Sequence, residues 1–295
     1  MISVCIVCRN EEDKLEDCLR SVQWADEIIV MDLESSDGSA ALARRNGARV
    51  IEHARVPIVE LVRNAVAAAA TNDWILAMDP DERAASGLPD TLRSIAEREE
   101  ADAVAIPVMN SDFGYFASSP IHRFDPKIRF YRRDRVTWPT EPNELPTIDP
   151  ERLVRLPEED DLVLVHIRNR TIPEALERAI RYAPAEAQAL IDSGETFTAR
   201  KMLARIARKA HKQYVQARAF DDGVPGVVRA TVLVTFHFYV WACFWQMSGA
   251  ERTAEDDRVV RNAGRVLELG WRATRVARAP VRLTRRAKRA LGRRT

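Results

Sequence analysis

Over the first half of the chain, short apolar runs alternate with stretches whose apolar residues recur every three or four positions. Ile2 to Cys8 reads as a strand that ends at Arg9-Asn10-Glu11-Glu12. Leu15, Leu19 and Val22 share one helical face, so a helix is predicted over 12–22. Glu27 to Met31 reads as a second strand and runs into a polar, turn-rich loop, Asp32 to Ser39. Asp37 stands where it can cap a helix over 38–45, Gly47 closes that helix, and Arg49 to Glu52 makes a third short strand. An Ala-rich helix over 60–70 precedes a fourth strand, Trp74 to Met78, which Pro80 stops. Strands and helices alternating at this spacing predict parallel βαβ units with right-handed crossovers.

After a predicted helix over 88–99, the pattern loosens. Asp102 to Val108 reads as one further strand, and Lys127 to Arg133 alternates charge with Ile128 and Phe130 as an edge strand does. The Pro-rich stretch 137–157 is expected to be mainly loop, and Leu162 to Ile167 to be a strand carrying His166. From Pro173 the pattern is helical to about Phe220, where Asp221-Asp222-Gly223-Val224-Pro225-Gly226 breaks it. Ala230 to Met247 is apolar and aromatic, with His237 as its one titratable charge. It is short for a membrane span, which needs about 20 residues, and its aromatic load fits an interfacial segment; a buried helix or a homo-oligomer interface is the competing reading. The expected fold class is α/β, a Rossmann-like, mixed but mostly parallel sheet flanked by helices, with a helical C-terminal extension. The expected division is 1–170 and 171–295.

Composition changes this picture little, and charge changes it at one place. A chain of 295 residues, 46% hydrophobic and 30% charged, is a folding protein rather than a disordered one. Its net charge of +1 gives no reason to expect nucleic-acid binding, but every charged residue from Arg272 to Thr295 is basic, ten in all. Such a block is an interaction tail for something anionic, and beside anionic lipid each Arg or Lys is worth about 1 kcal/mol. The four cysteines complete no zinc site; Cys5 and Cys8 lie three apart on a strand and face opposite sides, so reduced, buried thiols are expected. No basic leader and no long apolar segment precedes Arg9, so a cytoplasmic location is expected, peripheral on the inner face of the membrane.

The chemistry concentrates where the fourth strand ends. Asp79-Pro80-Asp81-Glu82 places three carboxylates within four positions at a parallel strand's C-terminal edge, where open α/β sheets bind ligands. Asp79 and Asp81 suit a hard divalent cation, Mg²⁺ or Mn²⁺, that also holds a diphosphate; the plain alternative is a solvated Asp-Pro-Asp turn. Neither a G-x-G-x-x-G nor a G-x-x-x-x-G-K-[ST] motif follows any strand, so a Rossmann dinucleotide enzyme and a P-loop NTPase are disfavoured.

Together these stretches resemble family 2 glycosyltransferases of the GT-A fold. Ile2 to Glu11 is similar to that family's first strand and loop. Glu27 to Asp32 with Ser35-Ser36-Asp37-Gly38-Ser39 is similar to its second strand and Asp-rich loop, Arg63-Asn64-Ala65 to a helix start, and Met78 to Glu82 to its D-x-D-E motif. The set looks closest to the subgroup around the lipopolysaccharide-core β-glucosyltransferases, over about residues 2 to 135. The resemblance implies that Cys8 (through its backbone), Asn10, Glu11 and Asp32 surround base and ribose, that Arg63 lies near the base or diphosphate, that Asp79 meets ribose or metal, and that Asp81 binds the metal. It also implies a general base after the strand Arg129-Phe130-Tyr131-Arg132-Arg133. The family's His-Glu pair reads Asn143-Glu144 here, which makes Glu144 the expected base and Glu141 the second choice. His166 corresponds to a family His or is a structural residue.

The implied activity is metal-dependent, inverting transfer of a sugar from a nucleoside-diphosphate sugar to a lipid-linked or cell-envelope glycan. Two other readings compete with it: a nucleotidyltransferase on a related sheet, which the missing Gly-rich basic first loop disfavours, and a membrane-associated scaffold with a decayed site.

Overall fold

The structure is a computed structural model that describes residues 1–98, 100–140, 145–269 and 271–272, without the side chains of residues 120 and 122. The chain divides into two compact units, residues 1–175 with 217–227 and residues 176–216 with 228–295.

The first unit is built on a seven-stranded sheet. In chain order its opening elements are β1 (Ile2–Cys8), α1 (Glu12–Ser21), β2 (Glu27–Asp32), α2 (Ser39–Arg45), β3 (Arg49–Glu52), α3 (Glu60–Ala68) and β4 (Trp74–Met78). Then come β5 (Glu82–Ala84), α4 (Leu88–Arg98), β6 (Ala103–Ile106), β7 (Val108–Asp112), β8 (Tyr115–Phe116), α5 (Pro120–Arg123), β9 (Lys127–Arg132), β10 (Leu153–Arg155) and β11 (Leu164–Asn169). The large sheet has the order β10-β6-β9-β4-β1-β2-β3, and a smaller one has the order β5-β11-β7-β8. β1 pairs in parallel with β2 and β4, β2 with β3, and β10 with β6, while β9 runs antiparallel between β4 and β6. This is the mixed, mostly parallel sheet expected.

Period-two alternation on strands covered on both faces sorts the core into two layers. Ile2, Val4, Ile6 and Cys8 of β1 pack with Leu15, Cys18 and Leu19 of α1 and Leu88 and Leu92 of α4. Cys5 faces the other way, against Val62 and Val66 of α3, Tyr131 and Trp138. Cys5 and Cys8 thus lie on opposite faces, and all four cysteines are free. Burial pushes the thiols of Cys5 and Cys8 up to about 12, so neither is a nucleophile at neutral pH.

Several elements differ from the expectation. β9 is not an edge strand; it sits inside the large sheet, because the charge read as solvent-facing, Arg129, is buried and neutralised from within. The stretch 102–108 is two strands in two sheets, split at Pro107, which lacks the N–H a ladder needs. The stretch 137–157 is not only loop: Pro150–Arg152 forms a 3₁₀ turn and Leu153–Arg155 forms the outermost strand of the large sheet. The strand expected over 162–167 lies over Leu164–Asn169 and belongs to the small sheet.

The helix expected from 173 to 220 is broken. α6 (Ile172–Asp192) ends at Gly194, whose φ of 74° suits glycine alone among common residues. α7 (Ala199–Ala210) starts afresh behind Thr198, whose side chain accepts from the Lys201 N–H, and continues as a π-helical stretch, His211–Gln216. α8 (Gly223–Met247) begins inside the expected breaker, with Pro225 and Gly226 in its first turn, where a missing N–H costs nothing. In the second unit Trp241 and Phe244 of α8 pack on Ala187, Leu190, Phe197 and Met202. A last helix covers 254–269.

Candidate active site

The C-terminal edges of β1, β2 and β4 carry the predicted residues. At the β1–β2 end, two loops hold each other. Asn10 sits in the left-handed region at φ 55° and its side-chain oxygen accepts from the Ser36 N–H at 2.7 Å. The Asn10 N–H donates to Ser35 Oγ at 3.0 Å, and the Glu11 N–H to Ser39 Oγ at 3.0 Å. Asp37 accepts from the backbone and hydroxyl of Ser39 and from the Glu12 N–H, but the N-cap of α2 is Gly38, one residue after the aspartate expected there. Glu34 is also left-handed, at φ 54°, a strained state for a non-glycine residue. The Cys8 carbonyl accepts from the Leu33 N–H, continuing the β1–β2 ladder.

Asp32 closes this end. Its side chain is buried; Oδ2 accepts from the Ser35 N–H at 3.1 Å, but buried Oδ1 has no partner. An unpaired buried carboxylate oxygen is costly, so it marks a place where a ligand N–H or O–H fits.

At the β4 end, a second cluster forms around Arg129 of β9, which is only 4% exposed. Its guanidinium contacts Asp79 and donates to Glu82 Oε1 at 2.6 Å. Glu82, 1% exposed, also accepts from the Asp79 N–H at 3.0 Å and so shapes the turn. Burial opposes the Asp79 charge, but Arg129 and then Arg63 overcome it and hold its carboxyl down at about 2. Glu82 moves the other way: burial raises it, and the neighbouring Asp79 adds to that.

Asp81 turns elsewhere. β5 and β11 pair with His166 opposite Glu82, and β11 and β7 pair with His166 opposite Asn110. This register brings His166 Nε2 to 3.2 Å from Asp81 Oδ2, while His166 Nδ1 lies 2.8 Å from Asn110 Oδ1. Glu11 belongs to this end too: burial raises its pKa, Lys14 at 3.3 Å opposes that, and the charge of Asp81 adds to the rise.

Val7, Val59, Arg63, Asp79 and Tyr131, among others, line a small open pocket beside the end of β4. The Arg63 guanidinium stacks 4.8 Å above Trp138. Asn64 fixes that tryptophan, donating to its carbonyl at 2.8 Å and accepting from its N–H at 2.9 Å.

The structure therefore gathers Asp79, Asp81 and Glu11 at one end and Asn10 and Asp32 at the other, with Arg63 beside Asp79. Glu144 and Glu141 lie outside the described residues. Asp79 and Asp81 have different partners, Arg129 and His166. No group of three or more His, Cys, Asp or Glu able to hold a metal occurs among the described residues. The pair that fits one is Asp81 with His166: adjacent ligands on an octahedral cation with bonds of ~2.1 Å lie about 3 Å apart. Three residues of this cluster carried little or no signal in the sequence. His166 carried only its resemblance to a family His beside the structural reading, Asn110 follows a register that no local pattern states, and Glu82 carried no role beside the aspartates.

Residues 3–149 match the model of glycosyl transferase family 2. The chain belongs to that family. It is 34% identical over 142 residues to a TPR repeat-containing protein of Synechococcus elongatus, which covers 44% of this chain and 34% of that one. It is 22% identical over 246 residues to an uncharacterized glycosyltransferase of Rickettsia typhi, covering 80% and 84%. Thus the chain spans about a third of the first of these relatives and most of the second. Among solved structures it is similar to a mannosyltransferase from Pyrobaculum calidifontis in complex with GDP-Man and Mn²⁺, at 13% identity, 90% and 79% coverage and a TM-score of 0.43.

Proposed function

We propose that the chain is an inverting glycosyltransferase that uses Mg²⁺ or Mn²⁺ to move a sugar from a nucleoside-diphosphate donor to a lipid-linked or cell-envelope glycan. Residues 1–170 form the donor-binding part. Cys8, Asn10, Glu11 and Asp32 hold base and ribose, and Asp32 Oδ1 accepts from the base. Arg63 and Asp79 line the path of the diphosphate. Asp81, with His166, holds the cation, which stabilises the charge on the departing nucleotide. Glu144 takes the acceptor's proton, with Glu141 as the alternative.

The observation that carries this reading is the 3.2 Å approach of His166 to Asp81, in the turn after β4, together with the unpaired oxygen of Asp32 at the end of β2. One is a site for a hard cation, the other a site for a neutral donor, and a nucleotide sugar with its metal needs both.

In the second unit α8 is long and apolar enough by length and composition to cross a membrane, yet Trp241 and Phe244 are buried within the unit. We read α8 and the basic tail as a peripheral contact with the inner face of the cell membrane, with a homo-oligomer interface as the alternative for α8.

The test is hydrolysis of UDP-, GDP- and dTDP-sugars by purified protein, with and without Mn²⁺, and thermal-shift screening of these together with CMP-sugars. Release of the nucleoside diphosphate that requires metal and disappears in Asp81→Ala is the expected result. Undiminished release from Asp81→Ala would remove the metal role, and pyrophosphate release from a nucleoside triphosphate with a sugar 1-phosphate would favour a nucleotidyltransferase.

A further inference from the structure

Charge is segregated between the two units. The second unit holds 23 Lys and Arg against 9 Asp and Glu, and the first holds 22 against 35. The near-zero net charge hides an electropositive unit joined to an electronegative one. Part of that excess lies in the tail, but part lies on α7. Lys201, Arg205, Arg208, Lys209 and Lys212 follow at spacings of three and four, which puts them along one side of the helix and its π-helical continuation. No Asp or Glu occurs from Thr196 to Phe220.

Within this stripe Lys201 pairs with Glu195, whereas Arg205, Arg208, Lys209 and Lys212 make no ion pair among the described residues. Like charges at helical spacing repel, so the arrangement weakens the helix that carries it. The effect is visible in its neighbours. Lys209 lies below its usual range through burial and then through Arg205 and Lys212. His237 of α8 is lowered to about 4 by burial and then by Lys209 and Arg205. Glu186 of α6 faces the same two cations, but burial raises its pKa and so works against its charge.

The same unit exposes apolar side chains. Phe238 and Trp245, seven residues apart on one face of α8, are 49% and 51% exposed, and Leu267, Leu269 and Trp271 are more than half exposed. Exposed aromatics and unpaired cations on the same unit suit a bilayer surface, where both find partners; a nucleic-acid duplex or free phosphate offers nothing to the apolar part.

We propose that the stripe Arg205–Arg208–Lys209–Lys212 is a binding surface for anionic lipid headgroups, distinct from the tail, and that it sets which side of the second unit faces the bilayer. It rests on the reading that this chain works at a membrane surface.

The experiment is co-sedimentation of the full chain with vesicles of phosphatidylcholine alone and of phosphatidylcholine with phosphatidylglycerol as a minor component. The wild type, a fourfold Gln variant of the stripe, a fourfold Gln variant of the tail (Arg282, Arg285, Arg286 and Arg289) and a fourfold Gln control on exposed arginines of the first unit (Arg20, Arg44, Arg45 and Arg98) are compared. Neutralising the stripe is expected to lower partitioning onto the anionic vesicles by on the order of 1,000-fold, with the control unchanged and the tail variant still bound. If the fourfold stripe variant fails to fold, Arg208→Glu and Lys212→Glu, both at exposed positions, are each expected to lower partitioning several-fold. Full binding by a folded stripe variant overturns the proposal and leaves the membrane reading standing. No binding by the wild type overturns both, and leaves the donor site untouched. Tighter binding to an RNA duplex than to anionic vesicles also overturns it.

Discussion

Asp81 and His166, 85 residues apart in the chain, meet through a strand register: β11 pairs with β5 so that Nε2 of the histidine lies 3.2 Å from the aspartate's Oδ2. Asn110 Oδ1 lies 2.8 Å from the other ring nitrogen and orients the ring; in the tautomer with the proton on Nδ1, Nε2 keeps a lone pair that the proposed cation would take. Asp81→Ala and His166→Ala are each expected to weaken Mn²⁺ binding, and Asn110→Ala to weaken it roughly 10-fold by freeing the ring. Paramagnetic titration of Mn²⁺ with nucleoside diphosphate present measures this. Unchanged affinity in His166→Ala would place the cation elsewhere.

Arg129 is a buried cation between Asp79 and Glu82, and the cost of removing it falls on the carboxylates left behind. Arg129→Met is expected to destabilise the protein by ~3–5 kcal/mol in urea denaturation. The double variant Arg129→Met/Glu82→Gln removes one of the stranded charges, so it is expected to be less destabilised than the single one. A double variant at least as unstable as Arg129→Met would mean that Glu82 is not held by this charge pair.

Asp32 keeps a buried oxygen unpaired, which suits ligand binding at the expense of the empty protein. Asp32→Asn still offers an oxygen to the Ser35 N–H. It is therefore expected to melt at or above the wild-type temperature without ligand, yet to bind nucleotide roughly 10-fold or more weakly, the order of one lost charged hydrogen bond. Calorimetry with and without nucleotide separates the two effects. A variant that loses stability and keeps nucleotide affinity would assign Asp32 a structural role.

The contrast between Asp32 and His166 shows how much of the site the sequence makes legible. β1, β2 and β4 are short apolar runs buried along nearly their whole length, and each run leads directly into its functional loop. Asn10, Glu11, Asp32, Asp79 and Asp81 could therefore be placed from local pattern. β9 could not, because Arg129 looks like a solvated charge unless Glu82, 47 residues earlier, is known to lie beside it. His166 and Asn110 depend on pairing in the small sheet, where β11 reads as a strand but its register against β5 and β7 is not stated by either partner's pattern. Pro107 hides the boundary between two sheets inside what reads as one strand.

Glu27 provides a pH test of the sheet that carries these residues. Its carboxylate accepts from Ser3 Oγ at 2.6 Å, from the Thr71 N–H and hydroxyl at 2.8 and 3.0 Å, and from Arg49 at 2.9 Å. Burial alone would raise its pKa, but these donors together lower it from 4.5 to about 2. A folded-state value below the unfolded one means that ionised Glu27 stabilises the fold above about pH 4.5, and that this contribution fades as pH falls toward 2. Glu27→Gln is therefore expected to cost ~2 kcal/mol at neutral pH, the scale of hydrogen bonds to a charged group. The difference from wild type should shrink steadily between pH 4.5 and 2. Denaturation curves for both proteins across that window measure it, and a difference independent of pH would show that the glutamate's shape rather than its charge holds β2 to β1.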